Sequence, residues 1–187
     1  MKSTRLFLVS LIIISCFTAC TNTADKDKND DGLTTDEAKA DKGDDPEFLR
    51  DAASINLEEI RISELALTMA TMQETKDMAQ MMVTDHKAAY AQLTALAAAK
   101  GVSIPTSADD EANRKHERLS KKEGADFDKD YSDMLVTSHK AAINRFERAV
   151  SDCDDAAVVS WASSILPKLK EHLTHAEHCQ EMAKDAK

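Results

Sequence analysis

From Asp45 onward, apolar residues recur at steps of three and four along four long stretches. That spacing belongs to one face of an α-helix and constrains the fold more than any other feature of the chain. No segment alternates apolar and polar residues as a half-buried strand would, and no fixed-period repeat appears. The spacing predicts long helices over about 45–72, 74–100, 126–150 and from about 155 to near the C-terminus. Asp45-Pro46-Glu47 reads as the first cap, Gly101 as the stop of the second helix, and Asp126 or Asp128 as the cap of the third. Between the second and third, Pro105, Thr106 and Ser107 are expected to open a short polar helix that Gly124 ends, and Pro167 is expected to kink the last. Short links make neighbouring helices antiparallel, so residues 46–187 read as an all-α four-helix bundle with one short extra helix.

The segment ahead of the bundle has a different composition. Lys2 and Arg5, an apolar run over 6–14 and Phe17-Thr18-Ala19-Cys20 read as an export signal over 1–19 ending in a lipobox-like Thr-Ala-Cys. The run is shorter than the roughly 20 residues a bilayer span needs. Cys20 is therefore the expected lipidated residue, with residues 20–45 as an acidic disordered tether and the lipid as the membrane partner. Export to the periplasm or cell surface follows, and Thr21 in place of an aspartate favours the outer membrane. Within the tether, Asp27, Asn29, Asp31 and Gly32 resemble the opening of a calcium loop, but Ala38 stands where a bidentate carboxylate belongs, so the stretch reads as plain linker.

Charge and cysteine usage bound the partners. Without Lys2 and Arg5 the chain has 22 basic against 34 acidic residues, a net charge of −12, which argues against phosphate contacts and hence against nucleic acid. Cys153 and Cys179 are the only thiols of the bundle. If both sit on or beside one helix, their 26-residue separation is roughly 39 Å, too far for a disulfide.

The ionisable residues within the apolar stripes carry the functional reading. His86 lies in the stripe Ala79, Met82, Val83, Tyr90, Leu93, Ala97; His139 lies among Tyr131, Leu135, Ala142, Phe146; His172 lies among Leu169, Leu173, Ala176; and Glu59 lies among Ala52, Ile55, Ile62, Ala66. Counting from the turns puts Glu59 and His86 in one layer, whereas His172 falls about 7.5 Å from the level of His139, nearer Asp133, unless the Pro167 kink shortens the path, so the pairing of His139 with His172 stays open. Inward histidines and a carboxylate on separate helices need partners, since an unpaired buried charge costs several kcal/mol. They either hold a transition-metal ion or form a hydrogen-bonded network, with Tyr90 or Tyr131 completing the shell. A di-iron carboxylate centre is not expected, because no histidine has a glutamate three positions before it. His175 and Cys179, one turn apart, form a candidate surface chelate against a plain polar helix end, while Met78, Met81 and Met82 read as core filler rather than copper ligands. Nothing resembles a nucleotide loop, a Ser-His-Asp set or a CxxC pair.

Together, Phe48, Ala52-Ala53, Asn56, Glu59-Ile60, Leu65-Ala66, Met82-Val83, Asp85-His86, Phe127-Asp128, Tyr131, Met134, His139, Ala142, Leu166-Pro167, Leu169 and His172-Leu173 resemble the bacterial domain-of-unknown-function family 4142, over about residues 46–180. The resemblance implies a ferritin-like bundle in exported proteins, often lipoproteins, with Glu59, Asp85, His86, His139, Pro167 and His172 as signature positions and no assigned reaction. The expectation is thus an exported lipoprotein that binds one transition-metal ion through Glu59, His86, His139 and His172, with Asp85, Tyr90 and Tyr131 around them, serving metal handling or envelope stress. Its rival is a metal-free structural or interaction module that meets an envelope protein through its acidic surface.

Overall fold

The computed structural model describes residues 44–185. The signal, lipidation and calcium-loop readings on residues 1–43 lie outside them. Five helices follow in order: α1 Asp44–Met69, α2 Gln73–Ala99, α3 Asp110–Leu119, α4 Gly124–Asp152 and α5 Ala156–Asp185. Among the described residues there is no strand, and no helix is long and apolar enough to cross a membrane. Three-residue links join α1 to α2 and α4 to α5, which makes two antiparallel hairpins. The hairpins pack α1 on α4 and α2 on α5, and α3 lies across α1.

Two apolar clusters fill the bundle. Near the α4–α5 turn, Phe48, Leu49, Leu93, Phe146, Val158, Trp161 and Leu169 interlock, with Phe48 and Phe146 edge to face at 5.0 Å. Toward the α1–α2 turn, Ile62, Met78, Met82, Phe127, Tyr131, Leu135 and Ala176 form the second. Asn56, Glu59, His86, His139 and His172 are buried between the two clusters. The bundle therefore has a polar layer between two greasy ends.

The caps differ from the sequence expectations in instructive ways. Gly101 does close α2: its φ of +67° lets Val102 donate to the Ala97 carbonyl at 2.9 Å and Gly101 to Ala98 at 3.1 Å, a doubly bonded helix end that favours glycine. Pro105–Ser107 stay in the connection, and Asp109 starts α3 instead, its carboxylate accepting from the Ala112 amide at 2.8 Å. Gly124 does not end α3 but begins α4, with φ +56°. Asp128 does not cap its own helix either. Its fully buried carboxylate crosses to the α1–α2 turn and accepts from the Thr71 and Met72 amides at 3.1 Å, and from the Thr71 hydroxyl. Asp45 likewise leaves its own helix end and accepts from the Asp155 amide at 3.3 Å, while Asp155 caps α5 through the Ala157 amide at 2.9 Å. Each aspartate thus serves a neighbouring turn, whose free amides lie within hydrogen-bond reach of its carboxylate.

α5 runs unbroken through Pro167. Ser163 and Pro167 are both exposed, so the carbonyl that the proline leaves without a donor lies on the wet side of the helix, where water can satisfy it.

Candidate metal centre

Three buried histidines from three helices converge in the polar layer: His86 on α2, His139 on α4 and His172 on α5. Their ring centroids are 5.7 Å apart for His86 and His139, 5.3 Å for His86 and His172, and 5.5 Å for His139 and His172. One ring nitrogen from each lies within 4.8 Å of the others, and among the described residues no other group of three or more His, Cys, Asp or Glu side chains converges in this way.

Counting left the pairing of His139 with His172 open, and the structure closes it: His172 lies beside His139 rather than near Asp133. Asp133 instead accepts from Gln180 at 2.7 Å, one layer further along. The rings of His139 and His172, 5.5 Å apart, centre the hairpin between residues 155 and 156. The count had centred it on Cys153, which has an extended backbone and merely ends α4. The chain turns over 153–155 rather than at one residue, which moves the centre past Cys153, and His172 lies beside His139.

Each ring has one nitrogen fixed from outside. His139 Nδ1 donates to the Leu135 carbonyl at 3.0 Å. His172 Nε2 donates to Asp85 Oδ2 at 2.9 Å. His86 Nδ1 donates to Asn56 Oδ1 at 3.0 Å; the Asn56 amide is committed to the Ala52 carbonyl at 2.7 Å, so its oxygen must face the imidazole. These acceptors settle the tautomers and leave His86 Nε2, His139 Nε2 and His172 Nδ1 as lone-pair carriers. Those three nitrogens are buried and have no hydrogen-bond partner among the described residues.

Electrostatics keep the lone pairs free. Burial first, then the neighbouring imidazoles, holds His86 well below the usual histidine range. Burial, then His172, brings His139 down to about 4. Burial also lowers His172, outweighing the opposite pull of Asp85. All three rings are neutral at neutral pH, and three buried lone pairs in one layer are costly unless a cation or a donor meets them. A ring whose far nitrogen is tied to a carbonyl, amide or carboxylate is how metal-binding histidines are commonly oriented. The donor set therefore fits a metal ion.

Glu59 belongs to the layer but not to the three-nitrogen cluster. Its Oε1 accepts from Ser138 Oγ at 2.5 Å and lies 3.7 Å from His139 Nδ1, on the outer side of that ring. Burial raises its carboxyl to about 8 against the opposing Ser138 bond, so it is protonated at neutral pH. Asp85, part-buried at the edge, reaches His172 and lies 3.6 Å from Lys168 Nζ. Tyr90 turns away and donates to the Pro105 carbonyl at 2.8 Å. Tyr131 donates to Ser63 at 2.9 Å, in the lower apolar cluster. The α2–α3 connection and the small Ser63 side chain offer each hydroxyl an acceptor that the sequence pattern did not reveal. Conversely, Asn56 and Ser138 carry outer contacts that the stripe analysis missed. Asn56 falls on the buried α1 face between Ala52 and Glu59 and could have been found there, whereas Ser138 lies at the edge of the α4 stripe and gave no signal.

A cleft of about 270 Å³ reaches this layer from outside and is lined by Asn56, Asp85, His86, Lys168 and His172 among others. Cys153 and Cys179 are both free, and burial pushes their thiols up to about 12 and about 11.

The family described as Domain of unknown function (DUF4142) matches residues 32–179, reaching further toward the N-terminus than the motifs do. No curated protein matches the chain. The crystal structure of a conserved hypothetical protein, rv2844, from Mycobacterium tuberculosis is similar, with a TM-score of 0.57 and 15% identity over 72% of this chain and 95% of that one; at that identity the likeness shows the fold alone.

Proposed function

Because the chain belongs to the DUF4142 family, whose description assigns no activity, its own residues must carry the reading, and we propose that it binds one divalent transition-metal ion through His86, His139 and His172. The observation that supports this is the convergence of three neutral, buried imidazoles, each with one partnerless nitrogen and each offering a ring nitrogen within 4.8 Å of the others'. Imidazole donors suit zinc, nickel, copper(II) and iron(II), and three protein ligands leave a coordination position open to water or a small ligand. Glu59 sits beside His139 as a neutral acid and can lose its proton to offset the charge of an incoming ion. We further propose that the bundle acts outside the cytoplasm, tethered by lipid on Cys20, in metal handling or the response to envelope stress.

The test is metal content and affinity of the chelator-stripped chain after exposure to Zn(II) or Co(II). We expect one ion per chain in the wild type and none retained in His86→Ala, His139→Ala or His172→Ala. An ion present at about a hundred times its dissociation constant should stabilise the fold by about 2.7 kcal/mol. A wild type that takes up neither ion and does not shift its melting temperature would refute the reading and favour the metal-free module. For the anchor, Cys20→Ser should move the chain out of the membrane fraction, and unchanged retention there would refute lipidation.

A further inference from the structure

A second set of metal-type donors lies between the start of α2 and the last turns of α5, and the histidine centre does not use it. A cleft of about 290 Å³ there is lined by Met78, Met81, Cys179, His175 and His178. The two methionines are three residues apart on α2, and His175, His178 and Cys179 are three and four apart on α5, so each helix presents its donors from one face. Met78 and Cys179 are 3% and 4% exposed and form the floor, while Met81 is half-buried and the two histidines are exposed at the rim. The thiol is aimed at α2, donating to the Glu74 carbonyl at 3.5 Å. The carboxylates of Glu74 and Asp77 line the same cleft and favour a cation.

Core filling accounts for the burial of Met78 but not for an open cleft beside it that also holds a thiol and two imidazoles. Sulfur donors select soft ions, copper(I) above all, over the borderline divalent ions suited to three imidazoles. Met78 and His86 are eight residues apart on α2, about 12 Å at helical rise, so the two sets are separate.

We propose that this cleft is a copper(I) site in which Cys179 and Met81 supply sulfur and His175 or His178 supplies nitrogen. The cleft's histidines and thiol do not converge as they stand, so copper(I) binding requires the rim histidines to rotate toward Cys179. As the sulfur–copper bond forms, the thiol proton passes to water and the copper stays in its +1 state, so no oxidant is needed.

The experiment titrates the full chain with copper(I) under oxygen-free conditions against a competing chromogenic chelator, with X-ray absorption at the copper edge to count sulfur and nitrogen neighbours. We expect one copper(I) with sulfur in its first shell. Cys179→Ser should weaken binding by at least about tenfold, the effect expected even for an outer partner. Met81→Leu, which keeps side-chain volume and hence the fold, and the exposed double change His175→Asn with His178→Asn should each do the same. His86→Ala should leave copper(I) affinity unchanged, so failure of the core site and failure of this one are distinguishable. Copper(I) affinity unaltered in all three cleft variants, or a shell of nitrogen alone, would overturn the proposal.

Discussion

Glu59→Gln should change how the stability of the metal-free protein depends on pH, and the size of the change follows from the layer it occupies. In the folded chain, burial holds the Glu59 carboxyl protonated up to about 8, against 4.5 for an ordinary glutamate. Across that window the unfolded chain loses a proton that the folded chain keeps, so this group's contribution is complete below about pH 4.5 and is lost as pH rises toward 8. At about 1.4 kcal/mol per tenfold change in proton affinity, the ceiling is roughly 5 kcal/mol. Relaxation around a buried charge absorbs part of this, leaving about 2–4 kcal/mol to be observed. His139 works in the opposite sense. Its folded value of about 4 means that stability is gained as pH rises from about 4 to 6.5, and this contribution is common to both proteins. Glutamine keeps an oxygen for the Ser138 hydroxyl and removes the ionisation. The assay is urea denaturation from pH 5 to pH 9 with chelator present, comparing the difference between variant and wild type. That difference should move in favour of Glu59→Gln as pH rises; a constant offset would only report how the amide packs. Parallel curves across the range would refute the claim that Glu59 is held neutral by its surroundings.

Three further outcomes follow from other contacts. Asn56→Ala and Asp85→Ala remove acceptors that orient His86 and His172 and should each weaken Zn(II) or Co(II) affinity by about 10- to 100-fold in chelator competition; unchanged affinity would show that the rings are held by packing alone. Asp128→Ala should cost about 1–3 kcal/mol in urea denaturation, because it removes the acceptor of the part-buried amides of the α1–α2 turn, and a loss under about 0.5 kcal/mol would show that water replaces the carboxylate. Gly101→Ala meets no neighbour within 4 Å but must adopt φ +67°; a thermal melt should register a loss of about 1–2 kcal/mol, from backbone strain rather than a clash.

The contrast between the two histidine-bearing hairpins shows where sequence reasoning reached and where it stopped. Glu59 and His86 lie in one buried layer, as counting from the short α1–α2 turn implies, yet the contact His86 makes on α1 is Asn56, one turn earlier. On the α4–α5 side the same counting left the level of His172 open, because the three-residue turn moves the centre of the hairpin past the point where α4 ends. Asp128 is the sharper case. Its position near a helix start suits a local cap, and only the approach of the α1–α2 turn makes it a cap for another element.

The sequence by itself determined the helices, the apolar face of each and the inward position of His86, His139 and His172, because helical periodicity is a property of neighbours three and four residues apart. It also determined that the polar residues of those faces would need partners, since the cost of an unpaired buried group does not depend on the fold. The tertiary structure decided who the partners are: three imidazoles facing one another, Asn56, Leu135 and Asp85 behind them, and Glu59 turned to Ser138. Those choices depend on turn length, axial shift and rotation of whole helices, and a shift of one residue moves a side chain by about 1.5 Å along the axis and by about 100° around it. Local pattern leaves such shifts open, and only packing the four long helices against one another fixes them.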